Sequence, residues 1–372
     1  MPLTPVGLNG VPRRAPGRRG LVRPMKEPSL RQFCCAVQKN CHISDARHGA
    51  DYGLCTYLLK MREYYRWEKG LDFSASLANT SVGEWLTARE ALWESLDGDD
   101  FVPLPLQGME YDPFDVETVN TLLEPLGLVY SAGYGGSNKP LFFLAHLERK
   151  EDPEGVSVWV AGRELARDLS APAAMCQGDR IYIRMESSKR LLWEKLEAWR
   201  WQRSDGALGR AFSQYDVEGD LEGALDCMAE RELEVVLLHE RGEYLAGLEL
   251  GEAWNAMLAD LGHTPAALMA RAVRDHWADC RVTLPALLER RDEISMHLFA
   301  GGLGGMRKTL FPKLQTAYEG WHRSGDWSSL ADCVEAGGRH WPELARELLA
   351  IHREGAQQEG ERIPSLLEAG RL

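Results

Sequence analysis

The chain has 372 residues, of which 44% are hydrophobic and 27% charged, and a formal net charge of -13. That length exceeds one ordinary core and predicts two or more domains. The acidic balance excludes general nucleic-acid binding, which needs a basic face. No stretch approaches the roughly 18 uninterrupted apolar residues of a membrane span. The expectation is a soluble cytoplasmic protein whose partner is a small molecule or another protein, with neither nucleic acid nor membrane involved.

The charge is unevenly placed. Residues 1–24 carry Arg13, Arg14, Arg18, Arg19 and Arg23, five prolines and no carboxylate. Such a segment has too little apolar surface to order itself, and it lacks the apolar centre of a secretory signal. Residues 1–28 therefore read as a disordered basic tail, dispensable for folding, with Met25 just before the first patterned stretch. The eight cysteines follow no metal or disulfide spacing and read as free thiols in a reducing compartment.

Ser44 or Asp45 caps a first helix running to Trp67, on which Leu54, Leu58, Met61 and Tyr65 recur at helical spacing, and Gly70 ends it. A second helix covers Val82 to Leu96. Asp112-Pro113 opens a third, with Asp112 as cap and Pro113 at the first helical position, ending near Pro125–Gly127. Strands follow at Leu128–Tyr130, Leu141–Leu147, Val156–Val160 and Arg180–Met185, interrupted by a short helix at Arg163–Leu169. A helix over Leu191–Trp201 closes this part. Residues 29–205 thus form helices plus a small α+β unit with an antiparallel sheet.

After a linker-like stretch over 202–218, every segment reads helical: 220–261, 265–292, 293–318 and 327–354. Gly262 stops one helix, Thr264-Pro265 starts the next, and Pro285 kinks it. Residues 215–356 make a helical bundle, and 357–372 fray. The fold class is α+β, predominantly helical.

Two constellations carry chemistry. Along Cys41–Cys55, residues His48, Asp51, Tyr52 and Cys55 share a helical face. His48 oriented by Asp51 suits a general base, and Cys55 a thiolate nucleophile. The plainer reading is an ordinary surface with small apolar cysteines. In the bundle, His239 and Glu243 stand at i, i+4, and His276 and Asp279 at i, i+3 on the next helix. Facing helices build metal sites from such groups, which makes His239, Glu243, His276 and Asp279 the candidate ligands of a divalent metal such as iron or zinc. Gly242 and Ala246, on the stripe of His239, let a neighbouring helix approach. The competing reading is a structural histidine–carboxylate network.

Three weaker signals remain. The loop Gly133–Pro140 with Lys139 could cradle an anion or be a plain hairpin loop. Arg163 and Arg167 share a face on the expected short helix. Trp193, Trp199 and Trp201 form a candidate contact surface.

The block Asn40–His48, the segment Tyr57–Glu63, and the stretches Gly162–Leu169 and Ala270–Pro285 together resemble a family of bacterial conserved-hypothetical proteins of similar length. The resemblance implies a bacterial cytoplasmic origin and brings no residue roles. Three functions stand open: a metal-dependent enzyme, non-haem iron or zinc, working through the His/carboxylate clusters; a non-catalytic cytoplasmic interaction or maturation factor built on the acidic bundle; or a nucleotide-binding regulator using residues 133–139.

Overall fold

The computed structural model describes residues 27–372 apart from 136–138, 153–154, 204 and 263. Helix α1 spans Glu27–His48, and after a 3₁₀ turn at Gly49–Asp51 come α2 (Leu54–Lys69) and α3 (Asn79–Leu96). The chain therefore runs helically through Ser44 and Asp45, which do not cap. Both are fully buried. Ser44 donates its hydroxyl to the Pro140 carbonyl, and both Asp45 oxygens accept from the Leu169 N–H at 3.1 and 2.9 Å. These two residues fasten α1 to the sheet instead of starting a helix. Gly70 ends α2 in the left-handed conformation, as its lack of Cβ allows.

A hairpin of β1 (Leu104–Leu106) and β2 (Met109–Tyr111) precedes α4 (Val116–Leu123). The cap of α4 is Asp115, which accepts from Thr118 N. Asp112 instead closes a local turn onto Phe114 N at 2.8 Å. A five-stranded sheet follows, from β3 (Leu128–Tyr134), β4 (Pro140–Glu151), β5 (Ser157–Arg167), β6 (Ala174–Gln177) and β7 (Arg180–Arg184). Its order is β3-β4-β5-β7-β6, and β5 pairs with β7 in parallel, so the sheet is mixed rather than antiparallel. The helix expected at Arg163–Leu169 is strand as far as Arg167 and irregular beyond it: Glu164, Ala166 and Arg167 stay paired with β4 across irregular steps in register. Pairing with a long neighbour overrides local helix propensity there.

Phe33, Val37 and Cys41 of α1 pack with Tyr130, Phe142 and Leu144 of the sheet. Val158, Val160, Ile181 and Ile183 pack with α5 (Met185–Gln202) through Leu192, Trp193 and Leu196. Beyond α6 (Ala207–Phe212), the 30-residue α7 (Leu221–Leu250) starts at an Asp220 cap and joins the same cluster through Leu225 and Met228.

The remainder is helical: α8 (Glu252–Leu261), α9 (Pro265–Ala278), a π-helical turn (Asp279–Thr283), α10 (Leu284–Arg290), α11 (Glu293–Gly302), α12 (Gly305–Leu310), α13 (Pro312–Ser324), α14 (Ser328–Glu354) and α15 (Ala356–Ala369). Thr264 caps α9 and Gly262 stops α8, as their residue types dictate. Trp254, Trp277, Phe311, Trp341 and Leu348 build the bundle core. The segment expected to fray is docked: Ile363 and Leu367 are fully buried, and Leu372 N donates to the Leu310 carbonyl at 2.9 Å. Among the described residues, no helix is long and apolar enough to cross a membrane.

Candidate metal centre

The centre begins with a close approach of backbones. A Cβ added at Gly242 of α7 would lie 2.7 Å from the Ala278 carbonyl oxygen and 2.8 Å from its Cα and Cβ. Only glycine allows α7 to meet the end of α9 at that depth. The contact brings His239 and Glu243, on either side of Gly242, against Asp275 and Asp279.

The imidazole of His239 is then held at both nitrogens. Its Nδ1 lies 2.8 Å from Asp279 Oδ1, and its Nε2 lies 3.5 Å from Glu243 Oε1. Asp279 is fully buried, and its second oxygen accepts from Arg307. Glu243 Oε2 accepts from Arg274 Nη2 at 2.7 Å. One potential ligand atom each from His239, Glu243 and Asp275 falls within 4.8 Å of the others. Two ligands about 2.1 Å from a tetrahedral metal stand roughly 3.4 Å apart, close to the His239–Glu243 spacing.

Charge is unbalanced in the cluster. Glu240, Glu243, Asp275 and Asp279 meet Arg274 and Arg307 directly and Arg271 at longer range, and protons meet the rest. Although burial opposes it, Asp279 and Glu243 raise His239 well above the usual imidazole range. Burial likewise opposes ionisation of Asp279, yet Arg307 and His239 hold its carboxyl low. Burial, then the neighbouring Glu243, push both Asp275 and Glu240 up to about 7. Glu243 itself is held below the ordinary range against its burial, by His239 and Arg274. Of the three converging groups, His239 and Asp275 hold protons that a divalent cation would displace on binding, and Glu243 is already ionised.

Of the four ligands expected from the spacing, His239 and Glu243 join this group, and Asp279 stands behind His239. His276 does not join. It is fully buried, stacked on Trp341 with centroids 4.9 Å apart, and its Nε2 donates to the Arg307 carbonyl at 2.8 Å. Burial pushes it down to about 4, so it is a neutral, structural imidazole. Asp275, Arg274, Arg307 and Glu240 escaped the sequence reading. The signal was present: Asp275 on α9 and Asp279 at the start of the π-helical turn repeat the i, i+4 step of His239 and Glu243 on α7.

The N-terminal candidates lie apart from this centre. His48 Nδ1 and Asp51 Oδ2 are 3.0 Å apart at the surface, with Asp51 57% exposed. Cys55 is exposed on α2 and makes no hydrogen bond to that pair among the described residues. In the glycine loop, residues 136–138 lie outside the described residues. Lys139 is buried and bound to Asp45 at 3.0 Å, so its charge is already matched. Arg167 is buried beside Glu164, 3.7 Å away, with its guanidinium 4.8 Å from the Trp67 ring centre, while Arg163 is exposed. Of the three tryptophans, Trp193 is buried and Trp201 is 88% exposed.

A cleft of about 670 Å³ lies near Phe73 and Trp193, but its charges are spent on each other: Arg62 on Glu197, Arg66 on Glu63, Arg200 on Glu218. A groove of about 590 Å³ between α9 and α12 is different, because Asp275 and Arg307 line it.

Residues 32–184 match the N-terminal domain, and residues 189–370 the C-terminal domain, of a Family of unknown function (DUF6866). The chain belongs to this family. No curated protein and no solved structure matches it. The two family domains meet where β7 passes into α5, so His239, Glu243, Asp275 and Asp279 all belong to the C-terminal one. From the N-terminal domain, Cys176 on β6 feels the centre: burial, then Glu240 and Glu243, push its thiol up to about 12.

Proposed function

We propose that the C-terminal domain holds a divalent metal, zinc or ferrous iron, through His239 Nε2, Glu243 and Asp275, and that the chain is a metal-dependent enzyme. The observation that carries this is the convergence of those three groups with the second nitrogen of His239 held by Asp279. Metal-binding histidines usually donate their other N–H to a carboxylate, which fixes ring orientation and raises basicity. A ligand set of one imidazole and two carboxylates without thiolate suits zinc, iron or manganese. Three protein ligands leave a coordination position open, as catalytic rather than structural sites do. A metal there would supply Lewis acidity and lower the pKa of bound water. Glu240, also buried beside Glu243, stands ready to take or give a proton.

Metal analysis of untagged protein tests this. The expected result is near-stoichiometric zinc or iron, lost in His239→Ala and in Asp275→Asn but kept in His276→Ala. Protein that neither retains a metal nor gains thermal stability when zinc or ferrous iron is added rules the proposal out.

The second reading, a non-catalytic factor that binds a protein partner, is favoured by Trp201, whose large apolar ring is 88% exposed at the end of α5. It requires no metal, so the same analysis separates the two.

A further inference from the structure

We propose that the groove between α9 and α12 binds a small organic carboxylic acid with an apolar body, its carboxylate clamped by Arg271 beside the metal centre. The inference rests on the metal reading above and adds the class of ligand.

The groove's composition carries the argument. Leu268, Arg271, Ala272 and Asp275 line one side from α9, and Met306 and Arg307 the other from α12. Leu268 is 53% exposed, an uncovered apolar side chain within a concavity. The groove is open to solvent, and its volume of about 590 Å³ is large enough for a small molecule lying along it. Apolar walls with one charged end describe a site for an amphipathic ligand.

The charged end favours an anion. Arg274 is bound to Glu243 and Arg307 to Asp279. Arg271, half-buried on the groove wall, makes no direct salt bridge among the described residues and feels Asp275 only through space, one helical turn away. A guanidinium fork placed this way matches a carboxylate in two-point fashion. Asp275, one helical turn further along α9, would repel an incoming carboxylate while its own charge is free. A metal bound to Asp275 removes that repulsion and adds a positive charge at the same end of the groove. Anion and metal should therefore bind cooperatively, each strengthening the other by the same factor.

The experiment uses the full chain with and without zinc, and octanoate, acetate and octanol as probes, read by calorimetry beside metal analysis. Zinc-loaded protein is expected to bind octanoate at least tenfold more tightly than zinc-free protein, and more tightly than acetate or octanol. Arg271→Met should weaken octanoate at least tenfold with zinc content unchanged, and Arg271→Lys should recover part of the loss. Leu268→Glu should weaken octanoate and leave zinc unchanged. Stoichiometric zinc with no octanoate binding, or with binding indifferent to Arg271→Met, overturns the groove assignment and leaves the metal centre standing. Absence of zinc binding overturns both.

Discussion

His239 Nδ1 and Asp279 Oδ1 lie 2.8 Å apart across the α7–α9 contact, and the other Asp279 oxygen is held by Arg307. Asp279 thus orients the imidazole without being one of the three converging groups. Asp279→Asn is expected to lower zinc affinity about 10–100-fold without abolishing binding, the usual size of such outer-shell effects. His239→Ala should abolish it. Competition with a zinc chelator measures both, and equal losses in the two variants would make Asp279 a direct ligand.

Metal affinity should rise with pH. His239 carries a proton well above the usual range and Asp275 titrates at about 7, so binding expels protons. Each proton expelled makes affinity change by about tenfold per pH unit while that group remains protonated. The zinc-induced rise in unfolding temperature is therefore expected to be larger at pH 8 than at pH 6. A pH-independent rise would show that the metal binds elsewhere.

Gly242→Ala tests the helix contact itself. The new Cβ would meet the backbone of Ala278 at 2.7–2.8 Å, and backbone cannot swing aside. The expected cost is about 1–3 kcal/mol, typical of overpacking, measured by urea unfolding. The same change at Gly247, where nothing lies within 4 Å, should be neutral or slightly stabilising.

Glu164 is the keystone of a buried charge group in the sheet. It accepts from Arg184 Nε at 2.9 Å and Ser187 Oγ at 2.6 Å, and both Glu164 and Arg184 are buried. Glu164→Gln leaves the Arg184 charge without its counter-charge, at an expected cost of about 3–5 kcal/mol. The double variant Glu164→Leu/Arg184→Met should lose less than the sum of its single changes. Additive losses would show that the two charges do not depend on each other.

Two neutral imidazoles, His276 fully buried and His42 partly so, should make the fold acid-sensitive. Burial, reinforced by Arg89, pushes His42 down to about 3, and burial pushes His276 to about 4. A depressed histidine contributes stability that is complete above the unfolded value, about 6.5, and is lost as pH falls toward the folded value. For fully buried His276 the loss reaches about 3 kcal/mol. Urea unfolding between pH 6.5 and 4 should show a shallower pH dependence in His276→Gln than in the wild type. Identical slopes would remove His276 as a source of the acid sensitivity.

Much of the fold was legible where local chemistry decides it. Thr264-Pro265, Gly262 and Gly70 mark the helix ends that their backbone preferences require, and four strands stand where β-formers cluster. Local signals misled where a distant partner decides. Ser44 and Asp45 look like caps, yet their oxygens serve the sheet, and Arg163–Leu169 has helical composition but a strand beside it. The candidate centre was half legible. The i, i+4 pair His239/Glu243 announced a shared face, and Gly242 announced a close neighbour. Which turn of α9 would meet that face depends on a crossing that no single helix encodes. That is why spacing alone points to His276 rather than to Asp275, its neighbour in sequence on a different side of the helix.

The π-helical turn at Asp279–Thr283 has a consequence for the phase of the whole segment. Leu284 N reaches back five residues to the Asp279 carbonyl, and Pro285, which has no N–H to offer, follows at the start of α10. The turn thus holds one residue more than an α-helical turn would, about 100° of azimuth. Upstream of it, α9 presents Asp275 to the centre; downstream, α10 sinks Leu284 and Leu287 into the core. The extra residue sets the relative rotation of these two faces. Deleting a single residue between 280 and 283 would keep the segment helical and still misalign the carboxylates from the leucines. The segment behaves as a key cut on two sides.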